Sequence, residues 1–99
     1  MIPVRWTEQA VGDLQAIREF IERDSPRYGR LVAERLFDAT QRIESFPMSG
    51  RIVPELGRAD VREILVGEYR VVYRLRTDAA VLLTVFRSSR VFPAGLTGL

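Results

Sequence analysis

The order of apolar and polar positions along the chain predicts two helices in its N-terminal half. The first is expected over residues 8–23, with Thr7 as its N-cap. The second begins where Ser25 precedes Pro26, and Pro47 ends it. Apolar residues about one turn apart form the core-facing stripes of the two helices: Ala10, Leu14, Ile17 and Ile21, then Val32, Leu36, Ala39, Ile43 and Phe46. Since few residues separate the helices, we expect an antiparallel hairpin.

Beyond residue 60 the apolar period becomes alternating, which predicts strands over residues 61–66, 69–76 and 80–87. Short turn-forming connections favour an antiparallel meander. The middle strand has two faces: Tyr69, Val71, Tyr73 and Leu75 on one, and Arg70, Val72, Arg74 and Arg76 on the other. We expect the first face to pack on the helices and the second to present a row of arginines. With an N-terminal strand over residues 2–6, the order is β-α-α-β-β-β, an α+β fold.

In two segments the apolar residues follow neither the helical nor the alternating spacing. Residues 47–60 contain two prolines and two glycines, and we expect an irregular connection there. The tail over residues 91–99 is expected to be irregular or loosely ordered. A chain of 99 residues leaves no room for a second domain core, so the sequence predicts a single domain over residues 1–99.

The charged residues suggest an anionic or acidic partner. All 15 basic residues are arginine, and the formal net charge is +2. Arginine offers a planar fork for phosphates and carboxylates, although a GC-rich genome also favours it over lysine. Residues 1–48 hold seven arginines and eight acids, a net of −1, whereas residues 49–99 hold eight arginines and five acids, a net of +3. The C-terminal half is therefore the candidate surface for an acidic protein or a nucleic acid.

Missing residue types exclude several kinds of site. Without cysteine or histidine the chain can form neither a disulfide, nor a cysteine-ligated zinc site, nor a Ser–His–Asp triad, and we predict no metal and no cofactor. The first residues lack the features of a signal peptide, and the longest apolar stretch, residues 79–86, is too short to span a bilayer. The protein is expected to be cytoplasmic, with no membrane partner.

Four segments, in order and covering nearly the whole chain, resemble the RelE/ParE toxin superfamily and its ParE branch in particular. They are VRWTEQAVGDLQAIREFI, FPMSGRIVPEL, VREILVGEYRVVYRL and LLTVFRSSR. The resemblance implies the toxin of a type II toxin–antitoxin system, held inactive by a cognate antitoxin in a hetero-oligomer. RelE-like toxins cleave messenger RNA on the ribosome, whereas ParE-like toxins poison DNA gyrase and are not nucleases.

The site chemistry favours the ParE branch. RelE-like nucleases place lysines where this chain has Val61 and Glu63, and some relatives have a histidine where Phe86 stands. Their C-terminal catalytic tyrosine has no counterpart here. Metal-free RNA cleavage needs a general base and an acid, and arginine is a poor base because it stays protonated. We therefore assign no catalytic residue. A nuclease would have to use Arg70, Arg87 and Glu63.

The expected binding residues follow from this interpretation. The candidates for contact with the target are Arg62, Arg70, Arg74, Arg87 and Arg90, and those for contact with the antitoxin are Leu31 and Phe37. A solvated strand face with local ion pairs is the other interpretation of Arg74 and Arg76. Two alternative functions stay open: a RelE-like, metal-independent endoribonuclease that acts on ribosome-bound messenger RNA, and a non-toxic module that only binds its partner.

Overall fold

A computed structural model of the protein describes residues 1–97, so the last two residues of the predicted irregular tail, Gly98 and Leu99, lie outside the described part. The elements follow one another as β1 (Val4–Trp6), α1 (Glu8–Glu22), α2 (Pro26–Ser45), β2 (Arg51–Ile52), β3 (Val61–Val66), β4 (Tyr69–Leu75), β5 (Ala80–Arg87) and a 3₁₀ helix (Ala94–Leu96). This order confirms the predicted α+β fold. The strand β2 corrects the prediction of a wholly irregular connection after α2.

Both predicted helix starts are confirmed by their caps. The Thr7 hydroxyl accepts a hydrogen bond from the Ala10 amide at 3.1 Å, and the Ser25 hydroxyl accepts one from the Tyr28 amide at 3.2 Å. Each bond satisfies an amide that the helix itself leaves without a partner. Thr7 also donates to the Leu82 carbonyl at 2.9 Å. The residue that starts α1 therefore ties this helix to the sheet.

The five strands form one mixed sheet in the order β1-β5-β4-β3-β2. The N-terminal β1 runs parallel to β5, and the remaining pairs are antiparallel. The register between β4 and β5 shifts between Val72 and Tyr73, where β5 carries one extra residue. Asp13 of α1 accepts hydrogen bonds at this point from the Thr84 hydroxyl and, at 3.1 Å, from the Val85 amide. One helical carboxylate thus stabilises the bulged strand.

The helical hairpin covers one face of the sheet and encloses the main core. Its buried members are Ala10, Val32, Leu36, Ala39, Ile43, Ile64, Tyr69, Val71, Tyr73, Ala80, Leu82 and Val85. The predicted stripes of both helices contribute to this core, with one exception. Phe46 was wrongly assigned to it: the helix ends there, the residue has a non-helical backbone, and 67% of Phe46 is exposed.

A second, smaller core lies on the opposite face of the sheet. Val53, Val61, Val72 and Phe86 are buried there, and Leu56, Leu83, Phe92 and Leu96 pack against them. The loop after β2 and the C-terminal tail therefore cover the face where an exposed row of arginines was expected. That expectation is wrong for Arg70, which is only 7% exposed. Over residues 91–97 the tail is also more ordered than predicted, because Phe92 and Leu96 pack against this core.

Gly50 lies where the chain passes against the ring of Tyr73. The Tyr73 hydroxyl donates to the Pro47 carbonyl at 2.7 Å and accepts from the Gly50 amide at 3.1 Å, which fixes the chain between α2 and β2. A Cβ at position 50 would overlap this hydroxyl and come within 2.9 Å of the Glu63 carbonyl oxygen. Only glycine fits this close approach.

We expect Gly50→Ala to lower the free energy of unfolding by about 1–3 kcal/mol, because the added methyl group meets backbone and a fully buried ring. Urea unfolding followed by circular dichroism measures the change. Gly12→Ala is the matched control: position 12 lies in α1 with open space around it, and there alanine should stabilise by about 0.5–1 kcal/mol. Equal stability of Gly50→Ala and the wild type would contradict the assignment.

Candidate functional site

Arg70 lies at the centre of a network of ion pairs on the second face of the sheet. Its Nε donates to Glu63 at 2.6 Å, and its two terminal nitrogens donate to the two oxygens of Glu55 at 2.8 and 2.7 Å. The other oxygen of Glu63 accepts from Arg51 Nε. The side chain of Arg70 is 8% exposed and that of Glu63 is 0% exposed. All three nitrogens of the Arg70 guanidinium therefore already have acidic partners.

Strand register explains why these residues meet. The two-residue connection between β3 and β4, with Gly67 at a φ of 56°, places Arg70 opposite Leu65 and Val72 opposite Glu63. Arg70 and Glu63 are thus diagonal neighbours on the same face. The short β2 sets Arg51 opposite Glu63. The turn after β2 then brings Glu55 to the outer edge of Arg70.

Two adjacent aromatic rings lie on one side of the guanidinium of Arg70. Its central carbon lies 5.0 Å from the ring centroid of Phe86, its partner on β5, and 5.4 Å from that of Phe92 in the tail. The two rings meet edge to face, with centroids 5.9 Å apart. Cation–π contact of this kind strengthens when water is excluded. The tail is therefore held against the sheet in part by the charge of Arg70.

The network is balanced in charge, with two arginines facing two glutamates. The hydrogen bond from Arg70 lowers the pKa of Glu55 to about 2, against the opposing effect of desolvation. The same bond, with the one to Glu63, raises the pKa of Arg70. The arrangement is a closed set of ion pairs. It offers neither a free cation for a phosphate nor a free base.

Two of the other arginines proposed to contact the target lie away from Arg70. Arg62 pairs with Tyr73, so its side chain projects towards the helix-covered face. There it donates to the backbone carbonyls of Gly50 and Ala59, at 3.0 Å each. Arg74 shares the face of Arg70 but lies beside Asp60, with Nε 3.4 Å from the carboxylate. Both side chains therefore make contacts within the chain near β3 and not with Arg70.

Arg87 and Arg90, at and beyond the end of β5, are exposed on the helix side of the sheet. Arg87 pairs with Tyr69 in the sheet and donates to Glu68 at 2.8 Å. Both arginines line a groove of about 400 Å³ between α1 and the sheet, beside Phe20, which is 61% exposed. The residues proposed for target contact therefore fall on two faces. Of the proposed nuclease set, Arg70 and Glu63 meet, whereas Arg87 lies on the other face.

Leu31 and Phe37, proposed for antitoxin contact, are 39% and 50% exposed. They are six residues apart in α2, which places them on different sides of that helix. Phe37 stacks on Trp6 of β1, with ring centroids 6.4 Å apart. Their role stays a prediction. The residues that the sequence did not indicate, Glu55 and Phe92, lie in segments without a period, where no spacing signals a contact.

Within residues 1–97, no three histidine, cysteine, aspartate or glutamate side chains are grouped so that they could hold a metal ion. In the same part of the chain, neither helix combines the length and the apolar character that crossing a membrane requires.

The arrangement of helical hairpin and sheet recurs in solved toxin–antitoxin structures. It is similar to a chain of the chromosomal ParDE system from P. aeruginosa, with a TM-score of 0.73 and 18% identity over 88% of this chain and 96% of that one. It is also similar to a chain of the toxin–antitoxin complex RelBE2 from Mycobacterium tuberculosis, with a TM-score of 0.60 and 25% identity over 87% and 96%. The fold is that of the RelE/ParE toxin superfamily.

Sequence comparison narrows the class. The family model of the ParE toxin of the type II toxin–antitoxin system parDE matches residues 4–92, and the chain belongs to this family. It is 31% identical to "Putative toxin Y4kP" of Sinorhizobium fredii over 91% of this chain and 92% of that protein. It is also 38% identical to toxin RelE2 of Caulobacter vibrioides over 67% and 70%. These findings confirm the resemblance seen in the four sequence segments.

We expect Glu55→Gln to lower the stability of the protein near neutral pH by about 1 kcal/mol, a figure reduced because more than a third of Glu55 is exposed and its ion pair is screened. The folded-state pKa of Glu55 is depressed to about 2. Its contribution is therefore complete above the unfolded-state pKa and is lost as pH falls towards 2. The difference between wild type and variant, measured by urea unfolding from pH 6 to pH 2, should shrink in that window.

Glu68→Gln is the control for this titration. It removes a carboxylate paired with an exposed arginine, Arg87, and both side chains are more than 40% exposed. Its effect on the free energy of unfolding should be small at every pH. A pH-independent effect of Glu55→Gln would show that the Arg70 ion pair is not what Glu55 contributes.

Proposed function

We propose that this toxin acts by poisoning DNA gyrase through protein–protein contact and that it does not cleave RNA. The observation that carries this proposal is that all three nitrogens of the Arg70 guanidinium are already hydrogen-bonded within the chain. Among the residues proposed for nuclease chemistry, this is the arginine that the RelE/ParE resemblance marks. Here its nitrogens bind Glu63 and Glu55, and its guanidinium lies against the rings of Phe86 and Phe92.

The other groups needed for cleavage are also occupied. Each oxygen of Glu63 accepts from an arginine, and the side chain has no exposed surface, so it is poorly placed to reach a 2′-hydroxyl as a general base. Tyr69 and Tyr73 belong to the main core, and burial raises the pKa of both phenols. Neither phenol is suited to donate a proton to a leaving group on the surface.

The groove beside α1 supports a contact mechanism. Its exposed aromatic, Phe20, lines the groove together with Arg23, Arg87 and Arg90. A combination of an exposed aromatic ring and arginines is the composition in which binding energy concentrates at protein interfaces. We assign the gyrase contact to this groove, with Arg87 and Arg90 as its charged residues.

A cognate antitoxin completes the proposal. Two solved structures with this fold come from a ParDE toxin–antitoxin system and from the RelBE2 toxin–antitoxin complex, and the matching family is that of a type II toxin. The antitoxin is proposed to lay a segment along the helical hairpin and to fold on it, with the exposed Leu31 and Phe37 of α2 as contacts. The inhibited form is then a toxin–antitoxin hetero-oligomer in the cytoplasm.

One observation favours a second candidate function. Toxin RelE2 of Caulobacter vibrioides is 38% identical over 67% of this chain, and the RelBE2 structure shares the fold at 25% identity. A RelE-like endoribonuclease acting on ribosome-bound messenger RNA is the corresponding alternative. It would require the Arg70 network to open before cleavage.

The proposal predicts that the purified chain inhibits gyrase supercoiling and that its induction in bacteria stops growth with DNA damage and intact transcripts. Reversing two charges at the groove, in Arg87→Glu with Arg90→Glu, should weaken gyrase inhibition about tenfold or more, as expected for charged residues at an interface. Arg76→Glu is the control, because Arg76 is also exposed but lies outside the groove. It should leave inhibition within about twofold of the wild type.

Fragmented transcripts together with normal supercoiling would contradict the proposal and identify RNA, not gyrase, as the target. Arrest without either effect would point to a third target. No arrest at all would leave the non-toxic, partner-binding module. Equal loss of inhibition in the groove variant and in Arg76→Glu would remove the groove from the proposed mechanism and leave only a general effect of charge.

A further inference from the structure

The outer edge of Arg70 is filled by one exchangeable side chain. Its two terminal nitrogens bind the two oxygens of Glu55 at 2.8 and 2.7 Å, the fork geometry in which arginine holds any carboxylate. Glu55 belongs to the turn after β2 and its side chain is 38% exposed, whereas that of Arg70 is 8% exposed. Arg70 is therefore the fixed member of the pair and Glu55 the one that can leave.

The rest of the site would persist without Glu55. The Nε of Arg70 stays bound to Glu63, which has no exposed surface, and the guanidinium keeps its contacts with the adjacent rings of Phe86 and Phe92. Both rings belong to, or pack on, the second core, so apolar contacts hold them in place as well as Arg70 does. What remains is a preformed pocket with two parallel N–H donors and two aromatic rings on one side.

Charge selects the kind of anion that suits this pocket. With Glu55 withdrawn, Arg51 and Arg70 face Glu63 alone, which leaves one positive charge in excess. A single monoanion balances it. A doubly charged phosphate would be repelled by the buried Glu63 carboxylate next to the site. The planar, singly charged carboxylate matches both the charge and the fork.

We propose that the outer edge of Arg70 is a carboxylate-binding site, occupied within the chain by Glu55, that takes an acidic side chain of a bound protein partner in exchange. The exchange replaces one carboxylate by another and conserves the two hydrogen bonds. Its balance is therefore set by the local concentration of the incoming acid, which other contacts of the partner supply. The site does not depend on gyrase being the target.

Emptying the site tests the proposal. In the purified 99-residue chain with Glu55→Ala, sodium acetate should raise the melting temperature in a saturable way, by about 4 °C or more at ten times its dissociation constant. Sodium chloride at equal ionic strength should not. The wild type should show no acetate-specific rise, because Glu55 fills the site. Glu68→Ala is the control, since it frees Arg87, which is exposed to solvent.

An acetate-specific rise confined to Glu55→Ala supports the site, and its absence, or an equal rise in Glu68→Ala, overturns it. A larger effect of phosphate than of acetate would overturn the assignment to a carboxylate. N-acetylglutamate amide must act as well as acetate does. If it does not, the pocket excludes side chains and the exchange with a partner is wrong. If the Glu55→Ala variant is unfolded, circular dichroism is measured in acetate and in chloride. A folded spectrum in acetate but not in chloride supports the site, and an unfolded spectrum in both overturns it.

Discussion

A guanidinium that is buried stays charged, so it must find acceptors for its N–H groups inside the protein, and Arg70 imposes this requirement on the fold. Glu63 on β3 and Glu55 after β2 accept from all three of its nitrogens, and the rings of Phe86 on β5 and Phe92 in the tail lie against the guanidinium. Such a network need not be more stabilising than an apolar core, but losing one member leaves a buried charge uncompensated. It therefore specifies how the loop and the tail close over the sheet.

Because the acceptors for Arg70 lie on its own face of the sheet, the two faces of the molecule differ in how their arginines are placed. On the face that carries Arg70, two glutamates neutralise the charge of this residue, and the loop and tail cover the sheet. On the helix side, Arg87 and Arg90 remain at the surface beside the exposed ring of Phe20. A toxin of the ParE family that acts by protein–protein contact needs only the exposed surface on the helix side. The proposed function and the proposed carboxylate exchange therefore use different faces.

Much of this fold could be predicted from periodicity and caps, because Thr7, the Ser25–Pro26 pair and the alternation in β4 are local signals. Tyr73 in the core follows from that alternation. The burial of Arg70 does not, since it depends on Val53, Leu56, Phe92 and Leu96, which lie in segments without a period. Glu55 could not be identified for the same reason: its partner is set by the path of a loop.

The central claim is that Arg70 joins the loop after β2 to the C-terminal tail. A double-mutant cycle on the free energy of unfolding tests it most directly, with Glu55→Gln and Phe92→Ala made singly and together. Both residues contact Arg70, one by hydrogen bonds and the other through its ring. We predict a coupling energy of about 0.5 kcal/mol or more, carried by Arg70. Additive effects, within about 0.3 kcal/mol, would show that loop and tail are stabilised independently and would contradict this account.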